Sequence, residues 1–202
     1  MMKRKLRIVP TVIFFVVSIA IIVLVAMLIY GAYVAIRNYR ENASLPVEYS
    51  EIIEAVSKDE GVTESIIYAV IYTESSFDAE AKSSAGAIGL MQLLPSTAEW
   101  LCEIDGAEYD EAKLTDPEFS IKYGTKYLKI LYDRYKNWDA AHAAYHAGFS
   151  RVDSWLEDGI AKYNEDGQLV GIPIESTEQY VNKIRETRER YYKRLEELKN
   201  EN

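Results

Sequence analysis

The hydrophobic residues of the chain form one long uninterrupted block and, after it, a series of short periodic segments. No residue between Thr11 and Ile36 carries a charge, and a helix of about 20 apolar residues is enough to cross a bilayer. Beyond Pro46 the apolar residues recur at spacings of three and four, which is typical of helices with one buried face. The pattern therefore predicts a membrane-spanning helix followed by a mainly α-helical domain.

Basic residues near the apolar block indicate how it crosses the membrane. Several lysines and arginines precede the block, whereas only Arg37 and Arg40 follow it closely. The cytoplasmic flank usually carries the excess of positive charge, so we expect a cytoplasmic N-terminus and an extracytoplasmic domain. A cleaved signal peptide is the alternative, but its apolar region usually has about 7 to 15 residues. The sequence favours an uncleaved, single-pass anchor in the cell membrane.

The expected divisions of the chain follow from this anchor. They are a cytoplasmic basic segment at 1–10, the transmembrane anchor at 11–36, a linker at 37–46 and a folded domain at 47–202.

Capping residues and breaks in the period predict where the helices of this domain begin and end. Thr63, Asp116 and Ser150 are predicted to cap helix N-termini, and Gly148 suits a left-handed C-terminal cap. Residues 160–175 lose the helical period and predict a loop or a short hairpin. The predicted helices cover 47–58, the segment from Thr63 to Glu74, 95–101, 117–136, 139–147, the segment after Ser150, and the C-terminal segment from about Glu178.

Charge and cysteine content narrow the possible functions of the outer domain. All 32 Asp and Glu residues lie beyond residue 40, together with 17 of the 23 Lys and Arg residues, so the outer part has a formal charge of about −15. We do not expect so acidic a domain to bind nucleic acid. Cys102 is the only cysteine, so no disulfide can form within the chain, and we interpret it as a small buried hydrophobic residue.

Glu74 is unusual because it ends a strongly apolar helical segment. The negative end of the helix macrodipole repels a carboxylate at that place. One explanation is an exposed, solvated glutamate. The other is that burial and the dipole keep the carboxyl protonated near neutral pH, which is the state that a general acid requires. The residue alone does not decide between these hypotheses.

A run of small residues, glycines and a Met-Gln pair follows Glu74. Glu74-Ser75, Ser83 and the segment GAIGLMQ at 86–92, with Pro95 after it, resemble the catalytic motif of the lytic transglycosylases of the soluble, goose-lysozyme-like type. Leu94 departs from the motif, because the family often has methionine there. Glycines in such a segment let the backbone approach a bulky ligand closely.

Two downstream segments extend the resemblance. AYHAG at 144–148 is similar to the family's A-Y-N-A-G, with His146 in place of the usual asparagine. STEQYV at 176–181 resembles E-T-x-x-Y-V, but Ser176 stands at the motif's glutamate position and Glu175 lies one residue earlier. The counterpart of that glutamate is therefore left open.

The resemblance implies a mainly α, lysozyme-like fold and the activity of a peptidoglycan lytic transglycosylase of the bacterial envelope. Such a lyase cleaves the β-1,4 bond between N-acetylmuramic acid and N-acetylglucosamine without water and leaves 1,6-anhydromuramic ends. Glu74 would be the catalytic acid and base. Expected partners are the glycan strands of peptidoglycan and, through the N-terminal helix, the membrane; no cofactor and no metal are expected. The residues expected to hold the acid or the substrate are Ser75, Ser83, Gln92, Tyr145, His146 and Tyr180.

Three other functions are compatible with parts of the sequence. His142 and His146 have the spacing of two zinc ligands on one helix face, but the adjacent glutamate of zinc peptidases is absent. An inactive glycan-binding or scaffold protein of an envelope assembly would explain the changes at His146 and Ser176, although the retained Glu74 argues against it. A hydrolytic muramidase would differ only in the access of water to the intermediate.

Overall fold

The computed structural model describes residues 8–43 and 45–201, which form two units divided after Leu45. The first unit contains helix α1 (Ile8–Ala43). Its segment Ile13–Arg37 has a mean hydropathy of 3.1 and is, by length and composition, able to cross a membrane. This helix is compatible with membrane anchoring, while the direction of crossing stays a prediction. Residues 1–7 of the predicted cytoplasmic segment lie outside the described residues.

The second unit consists mainly of helices, which confirms the predicted class. A 3-10 helix (Glu111–Thr115) precedes α5, and the two-residue strands β1 (Lys162–Tyr163) and β2 (Leu169–Val170) form an antiparallel hairpin. A short hairpin was one of the two structures predicted for 160–175. The last helix begins at Glu175, three residues before its predicted start. The helices are α2 (Ser50–Glu60), α3 (Glu64–Glu74), α4 (Pro95–Asp105), α5 (Pro117–Tyr135), α6 (Trp138–Ala147), α7 (Phe149–Glu157) and α8 (Glu175–Glu201).

Helix α3 is buried all round and not only along one face. Every residue from Ser65 to Ile71 is buried, because apolar residues occupy all sides of the helix. Helix α8 packs along α3 and also contacts α6. The ring of Tyr191 in α8 stacks on Tyr68 in α3 with 5.0 Å between centroids. Packing on all sides fixes the end of α3, where Glu74 lies.

The capping prediction is confirmed at Asp116, whereas at Thr63 the position is confirmed but the side-chain hydrogen bond is not formed. The Asp116 carboxylate accepts a hydrogen bond from the backbone N–H of Phe119 at 2.9 Å. Thr63 does occupy the N-cap position of α3, but its side chain makes no capping hydrogen bond. Its hydroxyl instead lies 3.4 Å from the hydroxyl of Ser65. Burial of α3 by its neighbours therefore stabilises this helix without a side-chain cap.

Between α6 and α7, Gly148 is the C-cap of α6 as predicted, but its predicted left-handed conformation and the predicted cap at Ser150 are wrong. Helix α7 begins at Phe149, so Ser150 lies within its first turn and Gly148 is the N-cap. Gly148 has φ 88° and ψ 139°, which is outside the left-handed helical region. The reason is that Gly148 ends one helix and starts the next, so it must redirect the chain within a single residue.

A long loop, residues 75–94, links α3 to α4 and folds back on itself. Ser76 and Phe77 have positive φ angles of 52° and 69°, so the chain turns sharply just after Glu74. Farther along, Ile88 and Leu93 pair through both backbone N–H groups, at 2.9 and 3.1 Å. Because the loop is closed by these bonds, its glycine segment has a defined position.

Gly89 is the tightest point of this loop. Its φ angle is 82°, and a Cβ at this position would lie 2.0 Å from the carbonyl oxygen of Leu114. Its backbone N–H also donates to the carbonyl of Ala81 at 3.0 Å. Only glycine tolerates both this backbone conformation and this approach.

Substitution of Gly89 tests this steric constraint. We expect Gly89→Ala to lower the free energy of unfolding by about 3 kcal/mol or more. The new Cβ would clash with the backbone of Leu114, which cannot shift without disturbing the surrounding structure. Gly86→Ala is the matched control, since Gly86 has φ 85° but open space around it, and its cost should be about 1 kcal/mol. Thermal unfolding of both full-length variants in detergent, followed by circular dichroism, measures the difference. Equal losses would contradict the role of the Leu114 contact.

Candidate active site

Glu74 is the last residue of α3; the residue as a whole is half-buried, and its carboxyl group is largely enclosed. The Tyr180 hydroxyl donates a hydrogen bond to Glu74 Oε1 at 2.6 Å. Tyr180 lies in the first turns of α8 and is itself buried. The packing of α8 along α3 thus brings together two residues that are far apart in the sequence.

The environment of Glu74 sets its protonation near neutral pH. Burial raises the pKa of its carboxyl to about 7, against the opposing effects of the Tyr180 hydrogen bond and the positive charge of Lys183. A pKa near the working pH lets one group both give and take a proton. Of the two sequence hypotheses for Glu74, the structure favours the buried acid.

Two hydroxyl groups attach the glycine segment to the helices around Glu74. The Ser75 hydroxyl donates to the carbonyl of Leu90 at 2.8 Å, and the Tyr145 hydroxyl in α6 donates to the carbonyl of Met91 at 2.7 Å. Both predicted site residues therefore lie against the loop, where they hold its backbone in place. Their contact with a substrate stays a prediction.

Gln92 and Ser83 shape the same loop from within. Gln92 has a positive φ of 49°, and its Nε2 donates to the carbonyls of Ala81 and Gly89 at 3.0 Å each. Ser83 is exposed, and its Oγ accepts a hydrogen bond from the N–H of Ala87 at 3.0 Å. Both side chains brace the loop, and a role of either in substrate binding is still a prediction.

His146 contacts Tyr180 through its ring. Its ring stacks on the Tyr180 ring with 4.6 Å between centroids, and its Nδ1 lies 3.1 Å from Thr177 Oγ1. Burial lowers the pKa of the His146 imidazole, so the ring is neutral at pH 7. The residue that departs from the family motif thus contacts Tyr180, the hydrogen-bond partner of Glu74.

The other carboxylates near these motifs are exposed. Asp78 Oδ1 accepts the backbone N–H of Glu80 at 2.9 Å, and both residues are exposed in the loop. Glu175 is exposed at the start of α8, where its carboxylate accepts a hydrogen bond from the Gln179 side chain. These carboxylates lack the enclosure that raises the pKa of Glu74.

The two histidines of α6 lie in different surroundings. His142 is buried and stacks on Trp138 with 5.8 Å between centroids, and burial lowers its pKa to about 3. Within residues 8–43 and 45–201, no group of three or more His, Cys, Asp or Glu residues could hold a metal ion. The spacing of His142 and His146 therefore gains no support as a zinc site from the described part of the chain.

The sequence and fold of this chain are similar to those of known lytic transglycosylases. The transglycosylase SLT domain matches residues 51–166, so the chain belongs to that family. The soluble lytic murein transglycosylase of Escherichia coli K12 is 31% identical over 143 residues, 69% of this chain and 22% of that protein. The membrane-bound lytic murein transglycosylase C of Haemophilus ducreyi is 28% identical over 183 residues, 79% of this chain and 50% of that protein. The chain thus spans half or less of these curated relatives.

A solved structure of an inactive mutant of lytic transglycosylase Slt from Pseudomonas aeruginosa has a similar fold. It superimposes with a TM-score of 0.68 at 30% identity, covering 75% of this chain and 25% of that one. The lysozyme-like transglycosylase fold expected from the motifs is therefore confirmed. Tyr180, the partner of Glu74, lies beyond the residues that the SLT domain matches.

Some residues of the site were not singled out from the sequence. Thr177 was part of a quoted motif, and its buried hydroxyl beside His146 explains a threonine there. Tyr127 belongs to no motif of the sequence, but its ring contacts Tyr145 at 5.3 Å between centroids. The influence of Lys183 on Glu74 could not be predicted from the sequence, because an exposed lysine on a helix is common.

The protonation of Glu74 can be measured directly. We expect its carboxyl to titrate near pH 7. Tyr180→Phe should raise the pKa further, because this substitution removes a hydrogen bond that favours the charged form. The measurement is a ¹³C NMR titration of side-chain-labelled glutamate in the full-length protein in detergent, with Glu74→Gln to assign the signal. A pKa close to the ordinary value of 4.5 would contradict the enclosure of Glu74.

Proposed function

We propose that the protein is a lytic transglycosylase that cleaves peptidoglycan between N-acetylmuramic acid and N-acetylglucosamine. The observation that carries this proposal is the enclosed carboxyl of Glu74, with its pKa near 7 and the Tyr180 hydroxyl on Oε1. The carboxyl lies beside a glycine segment whose backbone is fixed by Ser75 and Tyr145. Such a segment suits the close approach of a sugar chain.

In the first step, Glu74 acts as a general acid. Tyr180 donates its hydrogen bond to Oε1, which leaves Oε2 to carry the proton toward the glycosidic oxygen. As the bond to the leaving N-acetylglucosamine breaks, the electron pair goes to that oxygen and positive charge develops at the anomeric carbon. The neighbouring 2-acetamido group of the muramyl sugar stabilises this charge, as in substrate-assisted glycosidases. The Tyr180 hydroxyl stabilises the carboxylate that forms.

In the second step, the same residue acts as a base. The Glu74 carboxylate takes the proton of the muramyl 6-hydroxyl while that oxygen bonds to the anomeric carbon. The product is a 1,6-anhydromuramyl end, and the enzyme returns to its protonated state without water. A pKa near 7 suits both steps, because donor and acceptor forms are then similarly populated.

The arrangement of carboxylates supports this route over a two-carboxylate hydrolysis. Most glycosidases flank the scissile bond with two carboxyl groups. Asp78 and Glu80, the acids closest in sequence to Glu74, are both exposed, and the Asp78 carboxylate accepts a hydrogen bond from the backbone N–H of Glu80. One enclosed acid is what a self-assisting substrate requires.

The N-terminal helix suits a protein that works at the membrane surface. We propose that α1 anchors the chain with its N-terminus in the cytoplasm and the catalytic domain on the extracytoplasmic side. The support is the excess of basic residues before the helix and the likeness to a protein named a membrane-bound lytic transglycosylase.

Replacement of the acid tests the activity. We expect Glu74→Gln to lower product release from purified cell walls by at least about 100- to 10,000-fold, because the amide cannot transfer the proton. The full-length protein in detergent micelles is incubated with the walls, and released muropeptides are identified by mass spectrometry. Asp78→Asn is the matched control and should stay within about twofold of the parent, since Asp78 is exposed.

The products also separate the proposal from its alternatives. Glu74-dependent 1,6-anhydromuramyl ends support a transglycosylase, whereas reducing muramyl ends would indicate a hydrolytic muramidase. No products from a folded protein that still binds the walls would indicate a scaffold.

His146 allows a test of how the acid is positioned. We expect His146→Asn to lower kcat several-fold, since the loss of an aromatic stack costs about 0.5 to 1.5 kcal/mol. KM should change less, because the ring acts through Tyr180. Steady-state kinetics and circular dichroism of the full-length variant check this. Unchanged kcat would show that the stack does not hold Tyr180 in place.

A further inference from the structure

A row of aromatic rings runs from the neighbourhood of Glu74 to the surface of α4. Tyr145, whose pKa is raised by burial and by the nearby charge of Glu74, contacts Tyr127 with 5.3 Å between ring centroids. Tyr127 in turn contacts Trp100 at 6.3 Å with the two planes at 86°. The row therefore links helices α6, α5 and α4 in one continuous wall.

Trp100 is unusually accessible for its residue type. Its exposed fraction is 42%, although tryptophan is buried on average. Its edge-to-face contact with Tyr127 steadies the indole. An exposed aromatic side chain whose ring is already fixed by a neighbour loses little conformational entropy when it binds a ligand. Trp100 thus has the properties of a preformed contact surface.

Electrostatics narrow what this surface can bind. Helix α4, PSTAEWLCEID, carries Glu99, Glu103 and Asp105 and has no basic residue. An anionic lipid surface attracts lysine and arginine and is repelled by carboxylates. A neutral sugar has no such penalty, and its C–H face can pack on an aromatic ring. The charge of α4 therefore favours a neutral saccharide over a membrane.

We propose that Trp100 forms a saccharide subsite at a distance from the cleavage point, where its indole stacks on an N-acetylglucosamine ring of the bound glycan strand. This rests on the proposed function, because the strand must already lie along the wall that begins at Tyr145. The subsite makes binding depend on strand length. A ligand too short to reach from Glu74 to Trp100 gains nothing from the indole.

The test measures binding without turnover. Full-length Glu74→Gln protein in detergent is titrated by calorimetry with the β-1,4-linked hexamer and dimer of N-acetylglucosamine. We expect a second substitution, Trp100→Ala, to weaken hexamer binding about 3- to 10-fold, which is the range of one aromatic contact. The gain in affinity from dimer to hexamer should shrink by the same factor. Trp100→Phe should restore most of the loss, because it keeps an aromatic ring.

Tyr192→Ala is the control for loss of an exposed aromatic, since Tyr192 lies on α8 and is 56% exposed. It should bind the hexamer like the parent. Equal hexamer affinity of the Trp100→Ala protein would overturn the subsite even if the parent enzyme cleaves walls. Trp100-dependent hexamer binding would support the subsite even if no cleavage were found.

Discussion

The enclosure of one carboxyl group is the constraint on which this structure depends. Raising the pKa of Glu74 from 4.5 to about 7 corresponds to roughly 3 kcal/mol of cost to its charged form. A carboxyl group stays enclosed at a helix end, despite this cost, only if the helix is packed tightly against its neighbours. The all-round burial of α3 supplies this packing, and the Tyr180 hydroxyl limits the cost when the proton leaves.

Three parts of the chain meet at this carboxyl, and each has a different task. Helix α3 presents the acid, the loop with Gly89 forms a backbone surface beside it, and α8 brings Tyr180. The loop is tied to the helices by hydrogen bonds from Ser75 and Tyr145. Because these bonds use backbone carbonyls as acceptors, they fix the main chain of the loop. Gly86 lies exposed on this loop, whereas Gly89 is buried against the backbone of Leu114. Both have positive φ angles, which explains the two glycines in the loop after Glu74.

Much of this architecture could be predicted from the sequence, and the failures have physical causes. Periodicity identified the helices, and Asp116 was a reliable cap because its carboxylate bonds locally. Thr63 takes the N-cap position but makes no side-chain capping bond, because burial of α3 outweighs a single local bond. Ser150 does not cap α7, because Gly148 ends α6 and starts the next helix within one residue. The motifs indicated Glu74 and Tyr180, but their 2.6 Å contact depends on how α8 packs, which local patterns do not reveal. The role proposed for Trp100 could not be predicted from the sequence, since it depends on the contact with Tyr127 on another helix.

The central claim is that one enclosed acid cleaves the glycan without using water. The most direct test is digestion of purified cell walls by the full-length protein in H₂¹⁸O, with the masses of the muramyl products as the readout. The account predicts 1,6-anhydromuramyl products that carry no ¹⁸O, because the new bond is made by the sugar's own 6-hydroxyl. Muramyl ends that gain one ¹⁸O atom would contradict it, since water would then have attacked the anomeric carbon.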